Sequence, residues 1–144
     1  MKNQDRILKA LLPVTLLIQG LHLTALIIEL MNLLAGRPLQ LLAPSPTPGW
    51  TPSQLRVLTA LGSIDTILIL VFTVFAIRLY QGKVGARRLG LAVMSFFQVS
   101  ALAYVFIVVP SGAVTVHPLT YAIITSCYVP VAMLWVNLIL QKTP

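Results

Sequence analysis

Three ionisable side chains lie inside long apolar runs of the sequence: His22, Glu29 and Asp65. An ionisable group in hydrocarbon costs a few kcal/mol or more, so it usually faces protein, water or a ligand. Because a helix advances about 100° and about 1.5 Å per residue, His22 and Glu29 lie on one side of a helix, about 10 Å apart along its axis. The amides of Gln19 and Asn32 flank that line. The spacing predicts a polar stripe that faces away from lipid.

These residue types suit one kind of chemistry. Because the first two predicted helices run in opposite directions, we expect Glu29 and Asp65 at comparable depth. A small polar cavity, open to the outside, would let them bind a cation or an amine, or share one proton, since two carboxylates in a low dielectric do not easily both ionise. His22 would extend a proton path below them, and Gln98 would join His22 in a second polar layer near the midplane. The alternative is structural, with the acids only hydrogen-bonding neighbouring helices or nearby arginines.

Other site chemistries have no signature in the sequence. A bis-histidine haem needs a second histidine at matching depth, but the only other one, His117, lies beside Pro118 at the predicted outer surface. The three ionisable residues have no metal-ligand spacing. No hydrolase triad, phosphate-binding glycine loop, CxxC pair or HExxH motif is present. We therefore expect no cofactor and favour a non-enzymatic protein over an enzyme that acts on lipid, and no motif names a family.

The composition predicts a membrane protein. The chain has 144 residues, of which 58% are hydrophobic and 9% are charged, against about 25% charged in an ordinary soluble domain. The formal net charge of +7 would suggest nucleic-acid binding in a soluble protein. Here the cations lie at the ends of apolar runs, where they act as topology signals, so we expect no nucleic-acid partner.

Four apolar runs are long enough to cross a bilayer, which takes about 20 residues of helix. Gly36 predicts a left-handed cap at the end of the first helix. Thr51, Pro52 and Gln54 predict a capping box at the start of the second. The whole chain, 1–144, is then a single integral membrane domain with outer loops over 36–52 and 110–117 and a cytoplasmic turn over 81–87. The predicted transmembrane helices are residues 8–35, 53–80, 88–109 and 118–140.

The positive charges predict the orientation, because cytoplasmic flanks carry an excess of Lys and Arg. Eight of these residues lie in the N-terminal segment, the second loop and the C-terminus, whereas only Arg37 and Arg56 flank the other loops. Both termini are therefore expected in the cytoplasm. The predicted fold is an all-α, four-helix transmembrane bundle with up-down-up-down topology.

Two function classes fit these observations. The first is a non-enzymatic subunit or interaction protein of a membrane assembly, since four helices enclose little volume. The alternative is a small transporter, channel or binding protein for a proton, a cation or an amphipathic amine, using the intramembrane pair Glu29 and Asp65 with His22. The expected partners are the lipid bilayer and either further copies of the chain or a larger complex. A cavity shared by the two carboxylates would favour the second class.

Overall fold

The protein is all-helical in the part of the chain that its computed structural model describes, residues 2–37, 49–110 and 118–140. A π-helical turn, Tyr104–Val108, continues the third helix, and the Val109 amide donates to the Tyr104 carbonyl at 3.2 Å. No strand occurs in these described ranges. The helices are α1 (Lys2–Leu34), α2 (Pro52–Tyr80), α3 (Ala86–Ala103) and α4 (Pro118–Leu140).

Three helical stretches are long and apolar enough to cross a membrane: Ala10–Leu34, Pro52–Tyr80 and Ala86–Ile107. The described apolar stretch of α4, Ser126–Leu140, is shorter. Stretches of this length and composition are those of an integral membrane protein.

The end of α1 follows from its glycine. Gly36 has a φ of 67°, and its amide donates to the Leu33 carbonyl at 3.1 Å, while the Arg37 amide donates to the Asn32 carbonyl at 2.8 Å. This pair of bonds is a Schellman motif, in which a residue without a Cβ takes the left-handed position. The predicted glycine cap is confirmed.

The starts of α2 and α1 can be explained from local sequence. Thr51 Oγ accepts the Gln54 amide at 3.3 Å and the Thr51 amide donates to Gln54 Oε1 at 2.8 Å, which confirms the predicted capping box. Helix α1 begins at Lys2, ahead of the predicted start at residue 8. The polar residues before that position include Lys, Gln and Arg, which have high helix propensity.

The four helices close a ring, in which α1 contacts α2, α2 contacts α3, α3 contacts α4 and α4 contacts α1. Helices α2 and α3 run antiparallel, because residue numbers rise along one as they fall along the other. Ser100 contacts Asp65 near one end of this pair, and Gly90 lies against Phe75 near the other. A turn over residues 81–85 joins them.

Helices α3 and α4 are also antiparallel. Trp135 Nε1 donates to Ser95 Oγ at 3.1 Å, and Tyr128 lies close enough to Tyr104 to interact with it electrostatically. A Cβ built on Gly62 of α2 would lie 3.6 Å from the Leu26 side chain of α1, and His22 interacts electrostatically with Asp65, so α1 is antiparallel to α2. The start of α1, the 81–85 turn and the end of α4 therefore lie at the same end of the ring.

The hydrophobic core fills only the half of the ring nearest that end, which we call the packed half. In α2 the buried apolar side chains all follow Asp65, and in α3 they all precede Ser100. The rings of Phe72 and Phe75 lie 5.7 Å apart, and those of Phe72 and Phe97 lie 6.1 Å apart at 81°. The buried apolar residues of the described ranges are Leu8, Leu12, Leu68, Ile69, Phe72, Phe75, Ala76, Ala86, Val93, Met94, Phe97, Val131, Leu134 and Leu138.

In the packed half, the α3 backbone at Gly90 lies against the ring of Phe75. A Cβ built on Gly90 would lie 2.4 Å from a ring carbon of Phe75. Because Phe75 is completely buried, its ring has little room to move away. The absence of a side chain at this position lets the aromatic ring pack directly on the α3 backbone.

We expect Gly90→Ala to lower the free energy of unfolding by about 1–3 kcal/mol, the usual cost of overpacking a filled core. The measurement is thermal or SDS-induced unfolding of the purified protein. Gly20→Ala is the matched control, since no atom lies within 4 Å of a Cβ at that position. Equal stability of the Gly90→Ala variant and the wild-type protein would contradict the packing described for Phe75.

Candidate functional site

A cavity of about 220 Å³ lies between α1, α2 and the π-helical turn, in the half of the ring opposite the packed half. Its walls are chiefly apolar, formed by Leu26, Ile27, Leu30, Leu33, Leu58 and Leu61. Its polar lining comes from three helical segments and consists of His22, Glu29, Thr59, Ser63, Asp65, Thr66 and Tyr104. Both predicted acids and the predicted histidine thus line one cavity.

Asp65 lies at the end of this cavity nearest the packed half, which we call the inner end; the opposite end is the outer end. Side chains from two neighbouring helices interact with Asp65. Ser100 Oγ on α3 donates a hydrogen bond to Asp65 Oδ1 at 2.5 Å. His22 on α1 lies close enough to interact electrostatically with the same carboxylate. These three residues, which we call the Asp65 layer, mark the boundary between the cavity and the packed half.

The register between α1 and α2 places Glu29 at another depth. His22 is level with Asp65, and a Cβ on Gly62 would lie 3.6 Å from the Leu26 side chain. Continuing in this register, Glu29 lies level with Thr59, about 10 Å along the axis from the Asp65 layer. The depth of Asp65 is therefore that of His22, whereas the sequence alone predicts that it is that of Glu29.

Glu29 lines the outer end of the cavity. The residue is 6% exposed, and Asn32 Nδ2 donates to its Oε2 at 3.5 Å. This contact joins two of the predicted site residues within α1. The cavity is thus elongated, with one carboxylate toward each end.

The three α2 hydroxyl groups in the cavity wall can only accept from a ligand, because their hydrogens are used within α2. Thr59, Ser63 and Thr66 each donate to the carbonyl four residues earlier, all at 2.8 Å. Their oxygen lone pairs are left for a donor in the cavity. Together with the carboxylates, they make the polar lining one that favours a cation.

Gln19 and Gln98 form a separate amide layer below the cavity. Gln19 is three residues before His22 on α1, and Gln98 is two residues before Ser100 on α3, so the two amides have nearly the same depth. Gln19 Oε1 and Gln98 Nε2 are buried and have no hydrogen-bond partner among the described residues. Neither residue lines the cavity, and Gln98 lies level with Gln19 rather than with His22.

Sequence reasoning missed Ser100, Tyr104 and Tyr128 as neighbours of Asp65. Tyr128 on α4 interacts electrostatically with both Asp65 and Tyr104. Ser100 had a usable signal, since counting equal numbers of residues back and forward from the 81–85 turn pairs it approximately with Asp65. Tyr128 had none, because its position depends on how α4 packs. Tyr104 had none, because its position depends on the π-helical turn that continues α3.

Comparison with known proteins finds no family model, no curated protein and no solved structure that matches this chain. Within the described ranges, no group of three or more His, Cys, Asp or Glu side chains is placed to hold a metal ion. The function must therefore be argued from the cavity itself.

We expect Ser100→Ala to lower the free energy of unfolding by about 1–3 kcal/mol, because it removes a hydrogen bond to a carboxylate in a low-dielectric site. Ser126→Ala is the control, since Ser126 is exposed and donates only to the Ala122 carbonyl of its own helix. Unfolding of both variants is measured in the same detergent. An effect of Ser100→Ala no larger than that of the control would contradict the role given to this bond.

Proposed function

We propose that this protein binds a small amphipathic organic cation within the membrane, in the cavity between α1, α2 and the π-helical turn. The observation that carries the proposal is that Glu29 and Asp65, from different helices, line one mainly apolar cavity. A charged group at membrane depth is costly unless a partner or ligand compensates it. An ammonium group against a carboxylate supplies that compensation, while an alkyl body contacts the leucines.

The hydroxyl groups and the size of the cavity narrow the ligand class. Thr59, Ser63 and Thr66 offer only oxygen acceptors, which favours a donor such as an ammonium group over an anion. The volume of about 220 Å³ is below the range of about 300–1,000 Å³ that is usual for sites of drug-sized ligands. A ligand with few non-hydrogen atoms fits best.

The packed half closes one end of the cavity. Phe72, Phe75 and Phe97 fill the packed half below the Asp65 layer, so the described residues leave no continuous pore there. Binding, or one state of a transport cycle, therefore suits this arrangement better than an open channel.

The proposed orientation is a four-helix transmembrane bundle, up-down-up-down, with both termini in the cytoplasm. In support of this orientation, one end of the ring contains the start of α1, the end of α4 and the basic residues Lys83, Arg87 and Arg88. Positive charge favours the cytoplasmic side. Helix α4, with 23 residues, is about 35 Å long and long enough to be the fourth span. The cavity then lies in the outer half of the membrane.

A role as a non-enzymatic subunit or homo-oligomer of a membrane assembly is the second proposal. The small volume that four helices enclose supports it. The two proposals differ in what Asp65 does: its loss abolishes ligand binding in the first and assembly in the second.

We expect the protein in lipid nanodiscs to bind hexylamine more tightly than hexan-1-ol, a neutral molecule of similar size. Asp65→Asn should weaken hexylamine binding by about tenfold or more, as expected for loss of a charged hydrogen-bonding partner. Isothermal titration calorimetry measures both affinities, with empty nanodiscs to subtract partitioning into lipid.

Asp5→Asn is the matched control, since Asp5 is the only other acidic residue and lies about 35 Å from Glu29 along α1. It should leave hexylamine binding unchanged. If hexan-1-ol bound as tightly as hexylamine, or if Asp65→Asn kept wild-type affinity, the cation-binding proposal would be wrong.

A further inference from the structure

The two carboxylates of the cavity are separated in depth, which has a consequence for the shape of the ligand. Asp65 is level with His22, whereas Glu29 is seven residues farther along α1. That spacing corresponds to about 10 Å along the helix axis. At this spacing of the two backbone positions, we treat each carboxylate as a separate position for an ammonium group.

Each carboxylate has a hydroxyl acceptor at its own depth. Thr66 adjoins Asp65 in sequence and lines the inner end of the cavity, and Thr59 lies level with Glu29 at the outer end. Both hydroxyls donate to carbonyls of α2, at 2.8 Å, so their oxygens accept. Each end of the cavity thus has a carboxylate and a hydroxyl oxygen. We call Asp65 with Thr66 the inner subsite and Glu29 with Thr59 the outer subsite.

The wall between the two subsites is apolar. Leu26 and Leu30 of α1 face it from one side, and Leu58 and Leu61 of α2 from the other. Burial of methylene groups against such a surface is favourable. A hydrocarbon chain is the natural link between two ammonium groups here.

We propose that the ligand is a linear alkane diamine, with one ammonium group at Asp65 and Thr66 and the other at Glu29 and Thr59. This inference rests on the proposed function and specifies its ligand class. A chain of about six methylene groups spans the distance between the subsites. A dication has one ammonium group for each carboxylate, whereas a monoamine has an ammonium group for only one of them.

The test compares 1,6-diaminohexane with hexylamine by isothermal titration calorimetry on the protein in nanodiscs, with empty nanodiscs subtracted. For the wild-type protein we expect the diamine to bind about tenfold more tightly or better. Affinity should be highest near six methylene groups, and 1,3-diaminopropane should bind no more tightly than a monoamine. This length series needs no substitution in the protein.

Glu29→Gln separates the two subsites. It should reduce the advantage of the diamine over hexylamine to less than about threefold. Asp65→Asn should weaken both ligands. If Glu29→Gln does not fold, Thr59→Val provides the same comparison at the outer subsite, because it removes the hydroxyl and keeps the side-chain shape.

Equal affinity of the wild-type protein for hexylamine and 1,6-diaminohexane would overturn the diamine inference. So would an undiminished diamine advantage in the Glu29→Gln or Thr59→Val protein. In either case, hexylamine binding that depends on Asp65 would leave the proposed function intact. If neither amine binds to the wild-type protein, both the inference and the proposed function are wrong.

Discussion

The arrangement of this protein depends on how one carboxylate is accommodated among apolar helices. Removing a carboxylate from water costs several kcal/mol unless hydrogen bonds and an opposite charge compensate it. Asp65 on α2 accepts a hydrogen bond from the Ser100 hydroxyl of α3 at 2.5 Å. It also interacts electrostatically with His22 of α1. The interactions of this one group therefore link three helices, α1, α2 and α3.

The Asp65 layer also divides the ring into two halves with different packing. On one side of it, Phe72, Phe75 and Phe97 form a filled aromatic core, which the lack of a side chain at Gly90 permits. On the other side, the helices enclose the cavity. A filled core next to a cavity suits a binding site, because well-packed neighbours keep the site residues in position.

Local features of the fold could be predicted from the sequence, whereas the contacts of the site could not. The caps at Gly36 and Thr51 depend on only a few adjacent residues, and apolar runs of membrane length require only composition. The partnership of Asp65 with Ser100 depends on the register across the 81–85 turn, and the depth of Glu29 depends on how α1 lies against α2. The π-helical turn that brings Tyr104 to the cavity lies in an apolar sequence like that of the helix before it, so composition did not indicate it.

The central claim is that a single chain holds a small organic cation through Asp65. Native mass spectrometry of the protein, extracted in mild detergent from the membranes in which it is expressed, tests this most directly, because it detects copies, partner proteins and retained ligands together. We predict a species whose mass exceeds that of the chain by one small basic molecule, and the loss of that molecule in the Asp65→Asn protein. A wild-type chain that carries no small molecule but retains a stoichiometric partner protein would contradict the account and favour the subunit role.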